Sequence, residues 1–206
     1  MNFRQRFDHP EGGTAVTRAG ERIAPRRGES RRVTVRAVGL AVWIALAVAC
    51  AVVFEDTFEA IVNALGCAVL VAVSVTDLER RIIPNRIIVP ALVAALVVQT
   101  ARDPSVEWLV GALAAGGFFL VLALVYPAGL GMGDVKLAAF MGAWLGWDVA
   151  VALFAGSLLG MVPALVALLR SGGRGRKETM PYGPFLAAGG VIGLFFGEAL
   201  LDAWLG

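Results

Sequence analysis

The sequence predicts an all-α, polytopic integral membrane bundle of about seven spans, with the N-terminus inside and the C-terminus outside. Three observations predict it. The 206 residues are 58% hydrophobic and only 17% charged, with mean hydropathy +0.77, whereas a soluble domain is about 45–50% apolar and about 25% charged. The apolar residues fall into successive runs, most of them near the roughly 20 residues that cross about 30 Å of hydrocarbon. The Lys and Arg residues collect on alternate loops, which the positive-inside rule reads as one membrane face.

Residues 1–32 are polar, Gly- and Arg-rich and without hydrophobic period, and are expected to form a disordered basic arm on the cytoplasmic side. It reads as a tail that enforces topology, with contact to anionic headgroups as the functional alternative. It is not a secretory signal peptide, because the following apolar run is too long and has no small-residue cleavage site. Val33–Phe54 is the first span, within a segment 33–56 that reads as an extra N-terminal transmembrane helix. Residues 57–206 hold six more: Thr57–Thr76, the shorter Ile87–Thr100, Val106–Tyr126, Lys136–Gly146, Trp147–Leu169 and Pro184–Leu205. The fifth is too short to cross unless it starts near Gly133 and runs through a protein-lined interior.

Residues 1–36 carry nine Arg against four acids, a net +5 in a chain whose total is +2, leaving −3 for the rest. Beyond that segment, Arg80, Arg81, Arg86, Lys136, Arg170, Arg174, Arg176 and Lys177 all fall on the loops that are inner if the N-terminus is inside, and only Arg102 falls outside. Glu55, Asp56, Glu59, Asp103, Glu107, Asp148, Glu198 and Asp202 collect at the opposite end. The alternation of seven spans and the charge bias select the same orientation.

The small net charge gives no reason to expect a nucleic-acid partner; the bilayer is the expected one. Cys50 and Cys67 lie in apolar runs without metal-binding spacing and read as small hydrophobes. His9, the single histidine, lies in the arm, which disfavours a Ser–His–Asp triad and a zinc site. No metal or other cofactor is expected.

Asp77 stands at the inner end of the second span and Asp134 at the inner start of the fifth, far apart in sequence but at one depth. Ionisable residues there are functional candidates by default. Two facing carboxylates share one proton. The ionised member takes a proton from water, which attacks a peptide carbonyl, and the protonated member donates to the carbonyl oxygen. Which aspartate carries the proton is a property of the pair. The run Gly129-Leu130-Gly131-Met132-Gly133-Asp134-Val135-Lys136 leaves an uncluttered backbone that a substrate strand can approach. A helix starting there would point its positive end at the carboxylate. The rival readings are a plain helix cap at Asp134 and a phosphate loop. The latter lacks Gly-Lys-Ser/Thr, and Gly-x-Gly-x-x-Gly fails because residue 134 is Asp.

The stretch Gly131-Met132-Gly133-Asp134-Val135-Lys136-Leu137, followed by Gly142-Ala143-Trp144-Leu145-Gly146, resembles the Gly-x-Gly-Asp signature of type IV prepilin peptidases. Asp77 with Ile83-Pro84-Asn85 resembles that family's first catalytic aspartate and the turn after it, and Met180-Pro181-Tyr182-Gly183-Pro184-Phe185-Leu186 resembles its Gly-Pro-Phe loop. The resemblance covers roughly residues 60–206 and implies a prepilin-peptidase-like catalytic core. It implies an aspartic endopeptidase of the inner membrane, facing the cytoplasm, that cuts the basic leader from type IV pilin-like precursors for a pilus or secretion assembly. Many relatives also methylate the new N-terminus and carry paired Cys-x-x-Cys sites. This sequence has none, so it resembles a short, peptidase-only form.

Around the pair, Pro84 and Asn85 read as the start of the third span, with Asn85 as cap. Lys136 reads equally as a group that contacts the substrate or lowers a pKa of the pair, or as an interfacial anchor. Gly183 and Pro184 fit the first turn of the last span, with substrate lining implied by the resemblance, as for Gly131 and Gly133. Trp43, Trp108, Trp144, Trp147 and Trp204 read as an aromatic belt. Gly111, Gly116 and Gly117 suit close packing, as do Gly156 and Gly160, whose spacing also offers a homodimer face. Two readings from other classes compete: an ion- or proton-coupled transporter using the same aspartates, although no internal repeat is visible, and a non-enzymatic assembly subunit.

Overall fold

The structure, a computed structural model, describes residues 27–127, 130–170 and 181–205. Among them are seven α-helices: α1 Arg27–Val53, α2 Thr57–Arg80, α3 Asn85–Arg102, α4 Glu107–Val125, α5 Met132–Leu145, α6 Val149–Arg170 and α7 Gly183–Leu205. A 3-10 turn, Gly146–Asp148, joins α5 to α6, and no strand occurs among the described residues. Six apolar helical stretches are long enough to cross a membrane; one of them, Met132–Val166, runs through α5, the turn and into α6. Leu113, Leu124, Phe154 and Leu169 are each at least 67% exposed, which hydrocarbon tolerates and water does not.

The helix ends sort into two clusters. At one end lie the C-terminus of α2 and the N-termini of α3, α5 and α7. At the other, the Arg102 guanidinium lies 3.7 Å from both Asp56 Oδ2 and Glu59 Oε2. There too the Trp147 N–H donates to Glu107 Oε1 at 3.1 Å, and a Cβ on Gly197 would stand 2.6 Å from the Asp148 side chain. Successive helices therefore alternate in direction, as the sequence predicts, and the described Arg80, Arg81, Arg86 and Lys136 lie at the first end.

The fifth helix departs from an ordinary span. Its 14 residues reach about 21 Å at 1.5 Å per residue, short of about 30 Å of hydrocarbon. It begins at Met132, one residue before Gly133, and packs on α3, α4, α6 and α7. Ten of its 14 residues are buried, Leu137, Ala138, Met141 and Ala143 completely. A helix apolar all round belongs inside protein, and its neighbours supply the thickness it lacks. Its closest neighbour is α4, where a Cβ on Gly111 would lie 2.6 Å from the Gly142 carbonyl oxygen and one on Gly142 would overlap the Gly111 backbone. Such close approach is the usual use of glycine between membrane helices.

Several readings need correction. Helix α1 begins at Arg27, inside the segment read as arm, and residues 1–26 lie outside the described residues. Helix α2 runs past Thr76 to Arg80, so Asp77 lies within its last turn. The N-cap of α3 is Pro84, without a side-chain cap bond, and Asn85 is the first helical residue; its amide is engaged elsewhere. Trp144 is 3% exposed and is part of the core instead of the belt. Gly156 packs on the Leu186 backbone and Gly160 on the Tyr182 ring, so the homodimer face inferred from their spacing is covered within the chain.

Candidate active site

Asp77 sits where α2 stops. Arg81 takes left-handed backbone angles (φ 54°, ψ 38°) and its N–H donates to the Asp77 carbonyl at 2.7 Å. That conformation is uncommon for a non-glycine residue and turns the chain sharply. The turn crosses the start of α5: Ile83 is buried, and a Cβ on Gly133 would stand 2.8 Å from Ile83 Cβ. Gly133 thus lets the α2–α3 turn rest directly on the first turn of α5.

Asp134 is the third residue of α5, in the first turn, where the positive end of the helix faces it. Its Oδ2 accepts from the Gly131 N–H at 3.0 Å, and its own N–H donates to the Gly131 carbonyl at 3.0 Å. Gly131 has no side chain, so only the carboxylate half of a capping box is present. Across the site the Gly183 N–H donates to Asp77 Oδ2 at 3.0 Å. Gly183 opens α7 and Pro184 follows it in the first turn, where its missing N–H costs nothing. A Cβ on Gly183 would come within 2.9 Å of Asp77 Oδ2.

Both aspartates are buried, at 7% and 9% exposed. Each therefore comes from a different helix and is aimed by one glycine N–H. Lys136 does not point at the pair: its ammonium donates to Asn85 Oδ1 at 2.7 Å, tying α5 to α3 at the rim. Of the expected residues, Asp77, Asp134, Gly131, Gly133, Gly183 and Pro184 come together around the carboxylates, and Lys136 and Asn85 form a separate pair beside them. Gly129 and Met180 lie outside the described residues.

Two features escaped the sequence reading. Tyr182, next to Gly183, donates its hydroxyl to Ser157 Oγ at 3.1 Å and packs on Phe119 with ring centroids 6.5 Å apart. Burial pushes its phenol above the ordinary 10.0; the Ser157 bond opposes this and the Asp134 charge adds to it. Tyr182 was visible only as part of a motif. Glu79, two residues after Asp77, is gripped by the Arg36 guanidinium at 2.8 and 3.0 Å, which fastens α1 to α2 beside the site. An acid and a base 43 residues apart carry no sequence signal of that contact.

The sequence model of the type IV leader peptidase family matches residues 64–165, a segment that contains Asp77, Pro84, Asn85, Gly131, Gly133, Asp134 and Lys136. Over these residues the chain belongs to the type IV leader peptidase family. A prepilin leader peptidase/N-methyltransferase of Burkholderia pseudomallei (strain 1026b) is 36% identical over 143 residues, 64% of this chain and 45% of that protein. The protein of the same name from Bacillus subtilis (strain 168) is 31% identical over 159 residues, 74% of this chain and 62% of its own length. Another from Aeromonas salmonicida (strain A449) is 33% identical over 149 residues, 66% and 50% of the two chains. The chain spans about half the length of the curated relatives it matches. No solved structure matches. Gly183, Pro184 and Tyr182 lie beyond the segment matched to the leader peptidase family, yet the fold brings Gly183 onto Asp77.

Proposed function

We propose that this chain is a membrane-embedded aspartic endopeptidase that removes the leader from prepilin-like precursors, with Asp77 and Asp134 activating water. The reading rests on one observation: two buried carboxylates from separate helices at one end of the bundle, each oriented by a glycine N–H at 3.0 Å. Family membership over residues 64–165 supports the choice of reaction. One carboxylate takes a proton from water as it attacks the scissile carbonyl; the other, protonated, donates to the carbonyl oxygen. Protons then pass back through the pair to the leaving amine, which regenerates the shared-proton state. Gly183 and Gly131 aim the carboxylates, and Tyr182 and the Ile83–Gly133 contact wall the site.

The reading places the enzyme in the cytoplasmic membrane with the pair on the cytoplasmic side, supported by Arg80, Arg81, Arg86 and Lys136 at that end and, among the described residues, Arg102 alone at the other. The reaction proposed is leader cleavage alone.

The test is co-expression of a prepilin-like precursor with wild type, Asp77→Asn or Asp134→Asn. Asn keeps the shape and the hydrogen bond to the glycine but not the proton chemistry. Both variants are expected to leave the precursor uncut while accumulating as folded protein, and normal processing by either one refutes the pair.

A further inference from the structure

The short α5 creates a difficulty at its far end. The last four carbonyls of any helix lack intrahelical partners, and α5 stops about 9 Å short of the hydrocarbon thickness. The residues that bear them in α5, Gly142, Ala143, Trp144 and Leu145, are all buried, away from water. Among them, the Gly142 carbonyl accepts from the Gly146 N–H. The Trp144 carbonyl accepts from Gln99 Nε2 at 2.6 Å, a contact from α3. The Trp144 indole N–H donates to Asn63 Oδ1 of α2 at 3.1 Å. Asn63, Gln99 and Trp144 are 5%, 6% and 3% exposed, so one residue of α5 is gripped from two sides in an apolar setting where a lost partner is costly.

The grip matters because of what it joins. Helices α2 and α5 carry the two aspartates, yet they scarcely touch through their backbones. A cavity of about 130 Å³ lined by Gly66, Val69, Ala95, Phe140 and Trp144 separates them on one side. The Trp144 ring spans the separation. It lies so close over Gly66 that a Cβ there would enter the ring, and it stacks on Phe140 with centroids 5.8 Å apart and planes at 24°. Asp134 lies about 15 Å from Trp144 along α5, and Asp77 about 21 Å from Asn63 along α2. Helices are rigid over such lengths, so a slide or rotation at the clamp is carried to the carboxylates.

We propose that Asn63, Gln99 and Trp144 are positioning residues for the aspartate pair, fixing the depth and rotation of α5 against α2 and hence where Asp134 stands relative to Asp77. The kinetic consequence rests on the peptidase reading; the geometric one does not. The experiment therefore has two arms.

In the first, Asp77→Cys and Asp134→Cys are combined with Cys50→Ala and Cys67→Ala in the full chain in membranes, and the two thiols are bridged with bis-maleimides of graded length. Adding Asn63→Leu or Gln99→Met is expected to lower the yield of the shortest effective reagent and shift the optimum to another length. In the second arm, with the aspartates intact, Asn63→Leu strands the indole N–H. It is expected to lower kcat about tenfold or more with KM changed less than about twofold, as for a displaced reacting group. Adding Trp144→Phe removes the stranded donor and is expected to restore most of the Tm, since replacing both partners by apolar groups is nearly neutral for stability, while kcat stays low because the link between α2 and α5 is still missing. If Asn63→Leu does not accumulate as folded protein, Trp144→Phe alone carries the same measurement.

An unchanged bridging profile in the folded variants overturns the proposal, and so does a double variant as fast as wild type. Absence of cleavage by wild type would defeat the peptidase reading, and the bridging arm would still decide the clamp.

Discussion

Gly183→Ala tests how tightly the site is built. The new methyl would stand 2.9 Å from Asp77 Oδ2, 3.2 Å from Cγ and 3.3 Å from Cβ, so either the carboxylate or the start of α7 must move by a few tenths of an ångström. Neither is free to do so. Asp77 is in the last turn of a helix, and the backbone of Gly183 is constrained by Pro184 after it. The casualty is the 3.0 Å bond from the Gly183 N–H to Asp77. A hydrogen bond to a charged group is worth about 1.5–3 kcal/mol, and loss of the lower figure alone corresponds to about a tenfold slower step. Gly131→Ala supplies the comparison, because its methyl would lie 3.4 Å from Asp134 Oδ2, an ordinary contact, at a backbone conformation (φ −89°, ψ 155°) open to any residue. Initial rates of leader cleavage by purified variants in lipid vesicles measure both. Gly183→Ala is expected to lose about tenfold or more in kcat and Gly131→Ala no more than about threefold. Equal rates for the two would refute the claim that the Gly183 contact aims Asp77.

Gly142→Ala forces a methyl into the Gly111 backbone, which no side-chain rearrangement can relieve; a cost of about 2 kcal/mol or more is expected, seen as a lower Tm in detergent. Arg36→Ala leaves the Glu79 carboxylate, whose side chain is 4% exposed, without its guanidinium. The pair is open to solvent on the arginine side and Arg32 and Arg80 also act on Glu79, so the variant's Tm is expected to fall only by the small amount a surface ion pair contributes. Tyr182→Phe removes one neutral hydrogen bond to Ser157, about 1 kcal/mol. Because the phenol titrates above 10.0 and is protonated below it, the shape of the cleavage pH profile up to that point is expected to match wild type.

Much of the architecture is legible in the sequence because lipid imposes simple rules. Every backbone group in hydrocarbon must be satisfied within a helix, so runs such as Glu107–Val125 announce themselves, and the one-sided Lys and Arg order the ends. The two aspartates are legible because they adjoin the apolar runs at the end where basic residues collect, while most other acids beyond the arm lie at the opposite end. Helix ends are read less well. Asp77 reads as the start of a loop, but Arg81 carries the turn in a left-handed conformation that nothing in its side chain predicts. Asn85 reads as a cap, but Lys136, 51 residues away, claims its amide.

By itself the sequence determined the membrane class, the alternation of helices and the identity of the two acids, since these follow from local composition and spacing. Only the tertiary structure decided what surrounds the acids: Gly183, 106 residues from Asp77, supplies its hydrogen bond, and Trp144, 81 residues from Asn63, ties the two helices together. The physical reason is that a hydrogen bond between distant elements depends on helix depth and rotation to within a fraction of an ångström. Composition and periodicity constrain those quantities only through packing, and packing is settled by the whole bundle at once.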